Sequence, residues 1–187
     1  MKQRLFVAIN LSTATKLALL KISSQLPTSP ALRTAKADNL HLTLQFLGDI
    51  EIDSIPAIRD VLTLVANQHH PFELACTRLG AFPNFNQPQT IWIGVMGPRL
   101  MELQTDLTKS LRKLVPTLDT KPFKPHLTLA RVKAPLSTKD LATLQSLTTK
   151  IILPPPTSVT SIDLMASTLT PRGPIHNLVS HHPFLNG

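Results

Sequence analysis

Along the chain the spacing of apolar residues switches repeatedly between a period of two and a period near 3.6, and each switch marks an expected element. Residues 4–10, RLFVAIN, form an almost unbroken apolar run of strand length. Residues 12–26 then place apolar side chains at helical spacing, with Ser12 or Thr13 as the cap and Pro27 and Pro30 closing the segment. NLHLTLQFLG, residues 39–48, alternates in the strand period and stops at Gly48. Helical spacing returns over 53–68, with an Asp53 cap and Pro56 in the first turn, and FELACTRLGAF, residues 72–82, reads as the next strand.

The second half repeats the order. Strand patterns cover 90–95, 125–132 and 157–168, with helical patterns over 99–115 and 137–149, and residues 175–181 suit a last strand beyond the turn TPRGP. Each half thus reads β-α-β-α-β. The first repeat is expected at about residues 3–82, the second at about 89–168, and a C-terminal segment at 169–187. Short helices between strands predict an α+β fold of two similar lobes, with helices on one face of each sheet. Hairpin-like links such as LGAFPNFNQPQTIW predict mixed or antiparallel pairing.

The second strand of each repeat begins with the same word. His41-Leu42-Thr43-Leu44 recurs 85 positions on (126 − 41) as His126-Leu127-Thr128-Leu129. In a strand, His and Thr share one face and the two leucines the other, so one face is chemical and one is packed. A single His-x-Thr is an ordinary surface pair. Two copies at matching places in a repeat point to a site. A neutral imidazole can take a proton from water while a protonated one gives a proton to a leaving oxygen, and threonine hydroxyls can hold phosphoryl oxygens, which together suit a phosphodiester. Arg131 lies on the opposite parity from His126 in a straight strand, so it joins them as a phosphate ligand only if the strand bends. Arg33, in the approach to the first word, is a weaker candidate of the same kind.

Charge sharpens this picture. Nineteen Lys and Arg against 11 Asp and Glu give a formal net charge of +8, which favours a polyanion such as RNA. With 42% apolar and 16% charged residues the chain belongs with globular proteins rather than disordered ones. Its single cysteine, Cys76, excludes an intrachain disulfide framework and a Cys-cluster zinc site, and it reads as a small buried hydrophobe. The remaining histidines (His69, His70, His176, His181, His182) lack metal-ligand spacing, so no metal and no cofactor is expected; solvated loop positions are their default. No apolar stretch reaches membrane-spanning length, and no signal segment opens the chain; a cytoplasmic monomer is expected.

Paired H-x-T-L words in a basic chain of this size resemble the two-histidine phosphoesterase superfamily. Within it, RLFVAI, NLHLTLQFLG, PHLTLAR and STLTPRGPI resemble the LigT-like RNA 2',3'-cyclic phosphodiesterases. The resemblance implies a bilobal fold with a pseudo-two-fold axis and a central cleft. It implies hydrolysis of an RNA terminal 2',3'-cyclic phosphate, or of a cyclic nucleotide, to a 2'-phosphate, with His41 as proton donor and His126 as proton acceptor. Joining of 2',5' RNA ends is a side activity it suggests without deciding. Where this branch carries a tyrosine after GPI, the present chain has His176, and it has no tyrosine anywhere. Phe46, Phe82, Phe85, Trp92 and Phe123 are candidate stacking partners for a base. The competing reading is a non-catalytic nucleotide- or RNA-binding module that uses the same cleft.

Overall fold

A computed structural model of the chain describes residues 1–118, 121–171 and 173–185. In chain order the elements are β1 (Lys2–Asn10), α1 (Thr13–Ser23), β2 (Leu32–Thr34), β3 (His41–Glu51), α2 (Ile55–Ala66), β4 (Phe72–Phe82), β5 (Thr90–Met96), α3 (Leu100–Leu111), β6 (His126–Val132), α4 (Thr138–Leu147), β7 (Thr157–Val159), β8 (Ser161–Thr170) and β9 (Gly173–Pro183). Ser12 caps α1, its hydroxyl accepting the Thr15 N–H at 3.2 Å, and Ser137 caps α4 through the Asp140 N–H at 3.1 Å. Each such cap stabilises its helix by about 1 kcal/mol. Asp53 does not cap α2. Residues 52–54 form a short 3-10 turn, and the helix starts at Ile55 with proline in its first turn. The short β2 has no counterpart in the sequence pattern, because three residues are too few to show a period. Within the turn TPRGP, Arg172 lies outside the described residues.

The α+β fold and antiparallel pairing agree with the sequence reading. One sheet runs in the order β7-β4-β5-β6-β3-β1-β8-β9, with β2 added beside β6, and each of these pairs is antiparallel. Periodicity does not reveal that the third strand of each repeat changes sides. β4 hairpins onto β5, and β8 joins β1, so each half of the sheet takes one strand from the other repeat. The expected strand over 157–168 breaks at Thr160 for the same reason. β7 lies against β4 near one end of the sheet and β8 against β1 near the other, one residue apart in sequence. The sheet must curl to bring these ends together.

All four helices pack onto one face. Leu19, Ile58, Leu62, Leu103, Leu107 and Leu144 meet Leu42, Leu44, Leu127, Leu129, Ile91 and Ile93 in one contiguous core. Leu42 and Leu127 are fully buried and directly opposite one another, and truncating either to alanine costs about 2–5 kcal/mol. The packed half of each H-x-T-L word therefore holds the sheet to its helices, leaving the other half free on the opposite face. Two histidines expected in solvated loops are instead buried. His182 bridges Thr63 of α2 and Ser180, at 2.9 and 2.8 Å, and His69 lies under the helices with Nε2 3.3 Å from Asp106. Among the described residues no helix is long and apolar enough to cross a membrane.

Candidate active site

The two repeated words are neighbours in the sheet. β3 meets β6 at the pair Leu42–Leu127, and continuing that antiparallel register by one residue sets His41 opposite Thr128 and Thr43 opposite His126. A local two-fold axis passes through the leucine pair. The outer neighbours obey it too: β1 pairs Asn10 with His41 and Ala8 with Thr43, while β5 pairs Gly94 with His126 and Trp92 with Thr128. Two imidazoles and two hydroxyls thus share one face around the axis, and each half combines the histidine of one strand with the threonine of the other.

A β-bulge follows each word. Ala8 pairs with Thr43 but Val7 with Gln45, leaving Leu44 extra on β3; Trp92 pairs with Thr128 but Ile91 with Ala130, leaving Leu129 extra on β6. A bulge reverses the side-chain alternation beyond it. Gln45 and Ala130 therefore point to the helix face, Gln45 accepting the Thr108 hydroxyl of α3 at 2.8 Å. Phe46 and Arg131 consequently return to the face of the histidines. This is the bend that Arg131 required. Its charge is close enough to both His126 and His176 to disfavour their protonation.

His41 lies in an aromatic nest. Its ring is 4.9 Å from Phe6 and 5.2 Å from His176, edge-on to the latter, and Phe6 contacts both His176 and Phe46. Phe46 itself stays 57% exposed, a free aromatic surface beside the histidine. Burial, reinforced by the positive charges of His176, Lys16 and His126, lowers the His41 pKa from 6.5 to about 4, and only the Asn39 backbone carbonyl pulls the other way. His41 Nδ1, His176 Nδ1 and Trp92 Nε1 are all buried without a well-formed hydrogen bond. A buried polar atom left open in this way calls for a partner, and a bound ligand or water can supply one.

His126 is held differently. Its Nδ1 lies 2.6 Å from the Lys124 carbonyl, an acceptor only, so Nδ1 carries the hydrogen and Nε2 keeps a lone pair when the ring is neutral. Burial lowers its pKa, the Lys124 carbonyl raises it and Arg131 lowers it. Phe82 lies 5.0 Å away at a right angle and Trp92 6.3 Å away. The Trp92 indole covers Gly80, where a Cβ would enter the ring, so the position requires glycine. Beside it opens a pocket of about 370 Å³ lined by Arg78, Leu79, Phe85, Trp92 and Thr148.

Of the weaker candidates, Arg33 pairs with Arg131 across β2 and β6 and rests its guanidinium on Gly173, a positive-φ glycine of the β8–β9 hairpin. His176, on that hairpin, reaches the His41 ring. Phe123 lies away from the site, in the core rim and beside α3. Phe6, Asn10 and Lys16 do not stand out as site residues in the sequence. An apolar run covered on both faces hides which side chains face the chemistry, and Lys16 acts only through tertiary proximity. Burial pushes the Cys76 thiol up to about 11. Among the described residues, no three His, Cys, Asp or Glu side chains are grouped to hold a metal ion.

The sequence pattern of the 2'-5' RNA ligase superfamily matches residues 19–169. A protein of Methanothermobacter thermautotrophicus named RNA 2',3'-cyclic phosphodiesterase is 31% identical over 180 residues, covering 94% of this chain and 96% of its own. A crystal structure from Thermus thermophilus superposes with a TM-score of 0.82 at 25% identity, covering 97% of both chains. E. coli LigT, in a complex with 3'-AMP, shares the fold at a TM-score of 0.73 and 24% identity, over 98% of this chain and 99% of that one.

Proposed function

We propose the following function for this chain, which belongs to the 2'-5' RNA ligase superfamily: hydrolysis of the 2',3'-cyclic phosphate at an RNA end to a 2'-phosphate, without a metal. The observation that carries the reading is the two-fold arrangement of His41, Thr43, His126 and Thr128 on one face about the Leu42–Leu127 pair.

In this reading His126 is the base. Its Nε2, left with the lone pair by the Nδ1 hydrogen bond to Lys124, removes a proton from water as the water oxygen bonds to phosphorus. His41 is the acid. The free protein holds it neutral, so it takes up its proton with the substrate, whose phosphate anion offsets the repulsion from His176, Lys16 and His126. A histidine whose surroundings resist the charge is a strong acid once charged, and it gives the proton to the 3' oxygen as the P–O3' bond breaks. The proton gained by His126 then returns to solvent. Thr43 and Thr128 donate to the non-bridging oxygens and Arg131 neutralises the charge that builds on them. Phe46, and the aromatic groups around Trp92, offer surfaces on which a base can stack.

The test is a defined dinucleotide ending in a 2',3'-cyclic phosphate. The expected product is the 2'-phosphate, formed equally well in EDTA, with turnover collapsing in both His41→Ala and His126→Ala while circular dichroism stays native. A 3'-phosphate product, or complete inhibition by EDTA, overturns the reading. A wild type that binds the dinucleotide tightly and never turns it over identifies a binding module instead.

A further inference from the structure

A row of polar side chains leads away from His41 across β1, β8 and β9, and the reaction above uses none of it. Thr43 pairs with Ala8, Ala8 with Asp163, and Asp163 with His181; one step along, Asn10 pairs with His41. Asp163 faces the site. Its neighbours Ile162 and Leu164 belong to the helix-side core, whereas Met165, two residues on, packs with Phe6 and Ala8 on the opposite face.

The Asp163 carboxylate is buried and doubly bonded: Oδ2 accepts from Asn10 Nδ2 at 2.7 Å and Oδ1 from His181 Nδ1 at 2.6 Å. A carboxylate only accepts, so it fixes what both partners show it. Asn10 must turn its NH₂ inward, and His181 its Nδ1–H. Their remaining polar atoms are Asn10 Oδ1, an acceptor, and His181 Nε2, which accepts when the ring carries its single hydrogen on Nδ1, and the His181 side chain is 56% exposed. An acceptor patch over a buried carboxylate is a poor seat for phosphate and a good one for hydroxyls. Three strand spacings, about 14 Å between backbones, separate His181 from Thr43, so this end of the row extends outward from the two threonines.

We propose that Asn10 and His181, oriented by Asp163, form a ribose subsite that accepts hydrogen bonds from the 2'-hydroxyls of nucleotides preceding the cyclic end. These hydroxyls distinguish RNA from DNA, so the row makes the enzyme selective for the sugar of the upstream chain. The proposal rests on the cyclic phosphodiesterase reading.

Two trinucleotides ending in the same uridine 2',3'-cyclic phosphate test it, one with ribose and one with deoxyribose at the first two positions. The wild type is expected to favour the ribose chain by about three- to tenfold in kcat/KM, the range of one or two hydrogen bonds, mainly through KM. His181→Leu should lower the ratio, leaving only the share that Asn10 carries, and His181→Gln, which keeps an acceptor, should retain more of it. The readout is a ratio, so a loss common to both substrates cancels. Equal turnover of the two chains by the wild type overturns the subsite and leaves the phosphodiesterase intact. An undiminished preference in His181→Leu also overturns it. Failure to hydrolyse either chain overturns the phosphodiesterase reading, and the subsite with it.

Discussion

Substituting His41 with asparagine tests how strongly the site suppresses its charge. Burial and three neighbouring positive groups lower the His41 pKa to about 4, against 6.5 in the unfolded chain. Between these values the unfolded chain binds a proton here that the folded protein refuses. Stability from this group is therefore complete above pH 6.5, falls as pH drops through the interval, and levels off below about 4, where both states carry the proton. The full gap corresponds to about 3 kcal/mol, and the part lost between pH 7 and pH 5 to about 2 kcal/mol. His126, His176 and His182 are also lowered, but they remain in both proteins and largely cancel in the comparison. Urea unfolding followed by the fluorescence of the single tryptophan, Trp92, measures both proteins at both pH values. His41→Asn should lose about 2 kcal/mol less than the wild type on going from pH 7 to pH 5. Parallel losses would refute the idea that the free site holds this imidazole neutral, and with it the claim that substrate phosphate brings the acid's proton.

Binding of a phosphate ligand should therefore be coupled to proton uptake by the protein: calorimetry with a nucleoside 2'-phosphate at pH 6 should give an apparent enthalpy that varies with the buffer's ionisation enthalpy, and His41→Asn should take up fewer protons than the wild type. Arg131→Met should reduce kcat/KM by about 10- to 100-fold and, by removing a cation, raise the titration midpoints of His126 and His176 seen by NMR. Thr43→Val and Thr128→Val should each lower kcat by about 10- to 100-fold with little change in the thermal midpoint, since neither hydroxyl holds the core together. Gly80→Ala should push the indole off its seat, destabilise the protein by about 1–3 kcal/mol and red-shift the Trp92 emission.

Much of this protein can be read from its pattern. The alternation of HLTL puts His and Thr on one face and Leu on the other, and the structure keeps that division because the leucines have a core to fill and the histidines do not. Strand and helix positions follow from spacing wherever an element is long enough to show a period. Arg131 is misplaced only conditionally: simple parity sends it to the wrong face, and one extra residue in β6 returns it. Phe6 gives no warning, since RLFVAIN is apolar on both faces and only packing tells which side chains meet His41. His69 and His182 give none either, because their partners, Asp106 and Thr63, lie far off in sequence.

The sequence by itself determined that there are two equivalent strands, each with an imidazole and a hydroxyl set against two leucines. Local spacing dictates side-chain direction, and that information is complete within four residues. Only the tertiary structure decided that these strands lie side by side about a two-fold axis, that a bulge after each brings Phe46 and Arg131 back to the site, and that the two imidazoles differ. The words are identical, so the difference between His41 and His126 comes from their surroundings, some contributed by distant residues and some by the residues just before each word. His41 is pressed by Lys16 and His176, and His126 is anchored on the Lys124 carbonyl. Burial and charge act through space, and a repeat in sequence carries neither.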